Sequence, residues 1–221
     1  MLKKLPITNY QLLITILIIA SFLRLYNFTE LPPGLYPDEA MNGNNAVEAW
    51  ENQDWKVFYP ENFGREGLFI NIQSLSVAAF GNKPWALRLP SAIFGILTVL
   101  GLYFLTSELF KNQKLALLAS FFLATSFWHI NFSRIGFRAI MAPFFLTWAL
   151  YFLLAAFKSK SPKSYILNSA FSGILYGLGF HSYIAYRATP ILILLIFYFL
   201  YQNHSLIRAN KRMVLILFTI S

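Results

Sequence analysis

The sequence predicts an all-α fold: a polytopic bundle of transmembrane helices whose first loop lies outside the membrane and carries short juxtamembrane helices. Three observations predict it. The 221 residues are 57% hydrophobic and only 12% charged, whereas a soluble domain carries about a quarter charged residues. The apolar residues fall in long runs separated by short basic loops. Eight of the nine acidic residues (Glu30, Asp38, Glu39, Glu48, Glu51, Asp54, Glu61 and Glu66) are gathered in one polar stretch, and only Glu108 lies elsewhere.

The N-terminus, Met1 to Lys4 and then an apolar run to about Leu23, resembles a secretory signal at first sight. The run is long for an h-region and no small-residue cleavage site follows it, so it reads as an uncleaved first span, roughly Asn9 to Phe28. Residues 29–86 then form the loop, with a helix-like stretch from Ala40 to Trp50. Leu68 to Phe80 is apolar but only 13 residues long; as a helix that is about 20 Å, too short for a hydrocarbon core of about 30 Å. Leu68, Ile72, Leu75 and Ala79 share one helical face, which places this segment along the membrane surface. The later spans are expected at about Leu87–Leu109, Leu115–Ile130, Ile140–Phe157, Tyr165–Tyr183 and Ala188–Tyr201. A run from Met213 stops after nine residues, too few to cross a bilayer, so the chain is expected to be one transmembrane domain, 1–221, truncated at its C-terminus.

Charge orients these spans. Lys3, Lys4, Lys111, Lys114, Lys158, Lys160, Lys163, Arg208, Lys211 and Arg212 all fall on one side, the cytoplasmic side by the positive-inside rule. Topology thus explains most of the basic residues behind the net charge of +9, and no nucleic acid is expected as a partner. The N-terminus is then cytoplasmic, and the acidic loop lies outside a multi-pass plasma-membrane protein. Pro90, Pro143 and Pro190 each stand near the expected outer start of a descending helix, where a missing N–H costs least. No cysteine is present, which excludes disulfide and thiolate chemistry.

Asp38 and Glu39 are adjacent carboxylates. One reading makes Asp38 a helix N-cap and Glu39 a first-turn residue, both favoured by the helix dipole. The other uses the same ionised state for a general base or a metal site, with Glu66 as a further ligand; the cluster permits a divalent cation without demanding one. Arg65 beside Glu66 is either a solvated local ion pair or a cation facing Asp38 at the membrane surface. Arg88, Arg134, Arg138 and Arg187 lie at outer helix ends against the positive-inside bias. Each can snorkel, or can present a planar fork to a lipid phosphate. His129 and His181 lack zinc-ligand spacing, and His204 falls on the cytoplasmic side. Trp50 and Trp55 suit either an interface belt or the lining of a sugar or lipid path. No phosphate-cradling glycine loop, Ser/Cys nucleophile motif or HExxH sequence occurs.

The Asp38-Glu39 pair, Arg65-Glu66-Gly67, Ala86-Leu87-Arg88-Leu89-Pro90-Ser91-Ala92, Phe132-Ser133-Arg134 with Arg138, and Tyr183-Ile184-Ala185-Tyr186-Arg187 with Pro190 together resemble the N-terminal half of the GT-C glycosyltransferases. The likeness is to the family 39 group, which includes the protein O-mannosyltransferases and the lipid A aminoarabinose transferases. It implies a transferase that moves a sugar from a polyprenyl-phosphate donor, held among membrane lipids, to a hydroxyl on a protein, lipid or glycan acceptor. Asp38 matches the loop aspartate expected to be the base, with Glu39 and Glu66 beside it. Arg65, Arg88, Arg134, Arg138, Tyr183 and Arg187 match positions expected to face the donor phosphate. The aminoarabinose branch has a lysine after the second loop acid, where this chain has Gly67; Arg65 is the candidate replacement.

Two rival classes are weighed against this. A lipid-linked sugar transporter would place ionisable groups deep within its spans; here they gather at the outer ends and in one loop. A non-catalytic membrane subunit or gene fragment is the reading that the short last run suggests.

Overall fold

The computed structural model describes residues 7–202. The chain divides into two compact units, 1–184 and 185–221. In the first, α1 spans Ile7–Leu25, α2 Pro37–Glu51, β1 Phe58–Tyr59, β2 Arg65–Glu66, α3 Gly67–Phe80, α4 Pro84–Phe110, α5 Gln113–Thr125, α6 Phe127–Arg134, α7 Met141–Phe157 and α8 Pro162–Gly179. A 3-10 turn, Arg138–Ile140, leads into α7, and a second, Ile184–Ala188, follows α8. The second unit carries the apolar helix α9, Thr189–Gln202. Lys3, Lys4, His204, Arg208, Lys211, Arg212 and the run from Met213 lie outside the described residues.

The architecture is the all-α membrane bundle that hydropathy predicts. Among the described residues, α4 and the segment Arg138–Phe157 are long and apolar enough to cross a bilayer, and α5 with α6 makes a third if that bent pair is one span. α4 is the central post: α1, α3, α5, α6 and α7 all pack on it, and α8 packs on α7. Small side chains let the backbones approach, because apolar surface gains little by leaving lipid for protein. Ala20, Ala116 and Ala124 are fully buried with Val99 and Tyr103 where α1, α4 and α5 meet. A Cβ at Gly101 would press on the Trp148 indole of α7.

Three elements differ from the sequence-based expectation. The span expected over Leu115–Ile130 is broken: α5 ends at Thr125, and α6 departs at 56°. Arg24, fully buried on α1, holds the break together by donating from Nη1 to the carbonyls of Ala20 and Ala124, both at 3.0 Å. Its Nε donates to Ser133 Oγ and its Nη2 to His129 Nδ1 on α6. Helix-end carbonyls need such partners where water is absent.

Second, α4 begins at Pro84, so Pro90 lies inside the helix and not at its start. Proline cannot donate to the carbonyl four residues back, Ala86. Ser76 of α3 supplies the missing bond, Oγ to Ala86 O at 2.6 Å, and Gln73 adds Nε2 to Leu87 O at 2.7 Å. Pro143 lies in the first turn of α7 and Pro190 in that of α9, as expected.

Third, the loop contains a hairpin that alternation did not reveal. β1 and β2 pair antiparallel, Phe58 opposite Glu66 and Tyr59 opposite Arg65. α3 is a helix as expected, with Phe69, Ile70, Gln73, Ser74 and Val77 buried. Its Leu75 and Ala79 are exposed and Leu68 and Ile72 half-buried, so the apolar face points outward.

The charged ends of the bundle are distinct. Glu108, near the C-terminus of α4, bridges Lys111 at 2.6 Å and Lys158 at 2.8 Å. The acidic loop gathers at the other end of α4, around Arg88.

Candidate active site

α2 begins with Tyr36 as its N-cap and Pro37 at the first helical position, so Asp38 sits in the first turn and is not the cap. Glu39, at the third position, reaches back to the Tyr36 backbone N–H (2.9 Å to Oε2), the acidic half of a capping box. Its carboxylate does much more. Arg88 donates Nε to Oε1 at 2.9 Å and Nη2 to Oε2 at 3.1 Å, and the Gly136 N–H donates to Oε1 at 2.6 Å. Four hydrogen bonds reach a carboxylate that is 1% exposed. Glu39 is a structural node joining α2, α4 and the α6–α7 connection, with no exposed oxygen to offer a substrate.

Arg88 is correspondingly committed. Beyond Glu39 it donates to the carbonyls of Pro32 (2.7 Å) and Gly34, closing the segment between α1 and α2. Arg134 is used the same way, donating to the carbonyls of Leu23 and Tyr26 at the end of α1 and of Leu31 in the connection that follows. Arg65, 1% exposed, points into α2: Nη1 to Asn42 Oδ1 and Nη2 to Asn45 Oδ1, both 2.6 Å, with Nε on the Glu61 carbonyl. Burial lowers the pKa of Arg65 from its ordinary value, and the nearby positive charge of Arg138 lowers it further. Three of the expected phosphate-binding arginines thus spend their donors on the protein.

Arg138 differs. Its Nε donates to Glu66 Oε2 at 3.2 Å, its guanidinium lies 5.6 Å from the Tyr183 ring centre, and its side chain is 20% exposed. Among the described residues, its two terminal nitrogens have no hydrogen-bond partner. Glu66 itself is buried at the N-cap of α3. Arg187 lies in the second unit, exposed in the 3-10 turn.

Asp38 is half-buried. Its Oδ1 accepts from Asn62 Nδ2 at 2.8 Å, and Oδ2 accepts no hydrogen bond among the described residues. The hairpin tip brings Asn62 there through three successive left-handed residues: Asn62 (φ 52°), Phe63 (φ 63°) and Gly64 (φ 84°). Asparagine and glycine take this conformation readily, whereas a phenylalanine in it is an outlier. Position 67 admits no side chain: a Cβ there would overlap the Lys56 carbonyl, and the Gly67 N–H bonds Val57 O at 2.8 Å.

The structure therefore brings Asp38, Asn62, Arg65, Glu66 and Arg138 to one end of the bundle, anchored by Glu39, Arg88 and Asn42. Asn42 accepts from Arg65 and donates to the Gly136 carbonyl at 3.2 Å. Asn42, Asn45, Asn62 and Gly136 escape the sequence reading. The first two carried a signal, since Glu39, Asn42 and Asn45 recur at helical spacing as a polar stripe beside Ala46 and Ala49. Among the described residues, no three His, Asp or Glu side chains converge as a metal-ligand set. Of the expected trio, Glu39 has its carboxylate engaged by four hydrogen bonds as described. His181 is exposed, and His129 is bonded by Arg24 on α1.

Comparison with known proteins adds the ancestry. The chain is 26% identical over 205 residues to a protein of Bacillus subtilis (strain 168) named "Putative mannosyltransferase YkcB", an alignment that covers 88% of this chain and 27% of that protein. The chain thus spans about a quarter of the length of the curated relative it matches. A model of the dolichyl-phosphate-mannose-protein mannosyltransferase family matches residues 68–221, from the start of α3 onward. That match takes in well over half of the sequence, and the chain belongs to this family.

Proposed function

We propose that this chain carries the catalytic loop of a membrane mannosyltransferase-type enzyme that uses a polyprenyl-phosphate sugar donor on the extracytoplasmic side. Family membership supports the donor class. The observation that carries the site is a division of labour: Glu39, Arg65, Arg88 and Arg134 are tied into the protein, while Asp38 Oδ2 and the Arg138 terminal nitrogens have no hydrogen-bond partner among the described residues.

In this reading Asp38 takes the proton of the acceptor hydroxyl as that oxygen attacks the anomeric carbon. The bond from that carbon to the phosphate oxygen breaks, and the departing polyprenyl phosphate carries the charge to Arg138. Glu66 and the Tyr183 ring hold Arg138 in place, and Arg187 stays a donor-side candidate on resemblance alone. The acceptor is a hydroxyl of a protein, lipid or glycan.

Direct displacement inverts the anomeric centre. The test is the configuration of the product formed in membranes from polyprenyl-phosphate mannose of defined anomer. Inversion is expected; retention would demand a covalent sugar–enzyme intermediate and would overturn the single-step scheme.

A further inference from the structure

We propose that Asn62 is a positioning residue for the reaction: its amide fixes the Asp38 carboxylate so that Oδ2, and not Oδ1, meets the acceptor hydroxyl. The inference rests on the assignment of Asp38 as the base and extends it to a residue outside the family's matched region, which begins at Leu68.

Three independent features converge on Asn62. It touches Asp38 across 24 positions of sequence, with Nδ2 2.8 Å from Oδ1. The turn that puts it there has positive φ at Asn62, Phe63 and Gly64 in succession, and Phe63 is a residue that rarely takes that conformation. The stem of that turn is clamped to the same helix that bears Asp38 through Arg65 on Asn42 and Asn45, and Arg65 Nε also holds the Glu61 carbonyl within the turn. Helix α2 thus holds the hairpin base while the hairpin tip holds the first residues of α2. An amide can only donate to a carboxylate, so it occupies one oxygen and leaves the other as the acceptor of a proton. A carboxylate with a single such partner loses rotational freedom without losing its basic oxygen, which is what a near-attack geometry needs.

The backbone dictates the choice of variants. Glycine and aspartate both tolerate the left-handed conformation at position 62, so Asn62→Gly removes the amide and Asn62→Asp replaces it with a like charge, each without backbone penalty. Transfer from radiolabelled polyprenyl-phosphate mannose to endogenous membrane acceptors is measured with the full-length protein at saturating donor. Asn62→Gly is expected to lower the maximal rate about tenfold, the scale of one lost hydrogen bond, with the donor KM and the thermal unfolding midpoint unchanged. Asn62→Asp is expected to fall at least as far. A merely structural residue would move the unfolding midpoint and spare the rate per folded molecule. Wild-type rates in either variant overturn the proposal. Asp38→Asn separates the two layers: if it keeps wild-type activity, the base assignment fails and this inference with it. If Asp38→Asn is inactive while Asn62→Gly is normal, only the positioning role falls.

Discussion

The Glu39 carboxylate and the Arg88 guanidinium form a two-pronged ion pair, Nε–Oε1 2.9 Å and Nη2–Oε2 3.1 Å, with each side chain about 1% exposed. A buried pair of this kind contributes little over an apolar substitute, but removing one partner strands the other charge. Arg88→Met is therefore predicted to destabilise the protein by about 3–5 kcal/mol, read as a lowered thermal unfolding midpoint in detergent. Glu39→Gln combined with Arg88→Met should be less destabilised than Arg88→Met alone. A pair dedicated to the donor would instead lose donor affinity and keep its stability.

Arg138 should show the opposite signature. Among the described residues its terminal nitrogens have no hydrogen-bond partner, and its Nε is held by Glu66. Arg138→Lys, which keeps charge but loses the planar fork, is predicted to raise the donor KM about tenfold or more, on the scale of one charge-assisted hydrogen bond, with the unfolding midpoint nearly unchanged. Arg134→Lys should instead lower the midpoint, because Arg134 serves three carbonyls at the end of α1 and in the connection after it.

Pro90 and Ser76 are predicted to be energetically coupled. Ser76→Ala leaves the Ala86 carbonyl without its partner inside a helix and should cost about 1–3 kcal/mol. In a Pro90→Ala background the backbone N–H of residue 90 can take over, and the same Ser76→Ala change should cost much less. A double-mutant cycle on unfolding midpoints measures the difference.

Gly67→Ala should unseat the hairpin, because the new methyl overlaps the Lys56 carbonyl. A cost of about 1–3 kcal/mol is expected from overpacking. Limited proteolysis should then cut between residues 59 and 65 faster than in the wild type.

Much of this was legible in the sequence, for definite reasons. Hydropathy runs locate helices because lipid demands internally bonded backbone, and the acids stood apart because nothing in a bilayer favours them. The short apolar segment Leu68–Phe80 was recognisable from length alone. What escaped depends on tertiary partners. The break at Ser126 is stabilised by Arg24, a residue 100 positions away from Ala124. Pro90 fits inside α4 only because Ser76 lies alongside it. At the site, composition marks Asp38, Glu39 and the arginines as candidates but cannot sort them. The sorting follows from which nitrogens and oxygens are already bonded, and that is a property of the folded chain. Asn62 shows this most sharply, since an asparagine before Phe63-Gly64 reads as an ordinary turn until Asp38 is seen beside it.

Asp38→Asn tests the role of Asp38 as the base with the least disturbance, since the amide keeps size and shape at a half-buried position. The measurement is the rate of mannose transfer from radiolabelled polyprenyl-phosphate mannose in membranes, normalised to folded protein, together with binding of the same donor. A fall of 100-fold or more, on the order expected for removing a general base, with donor binding intact, is the predicted result. Transfer at the wild-type rate by a normally folded Asp38→Asn protein would contradict it.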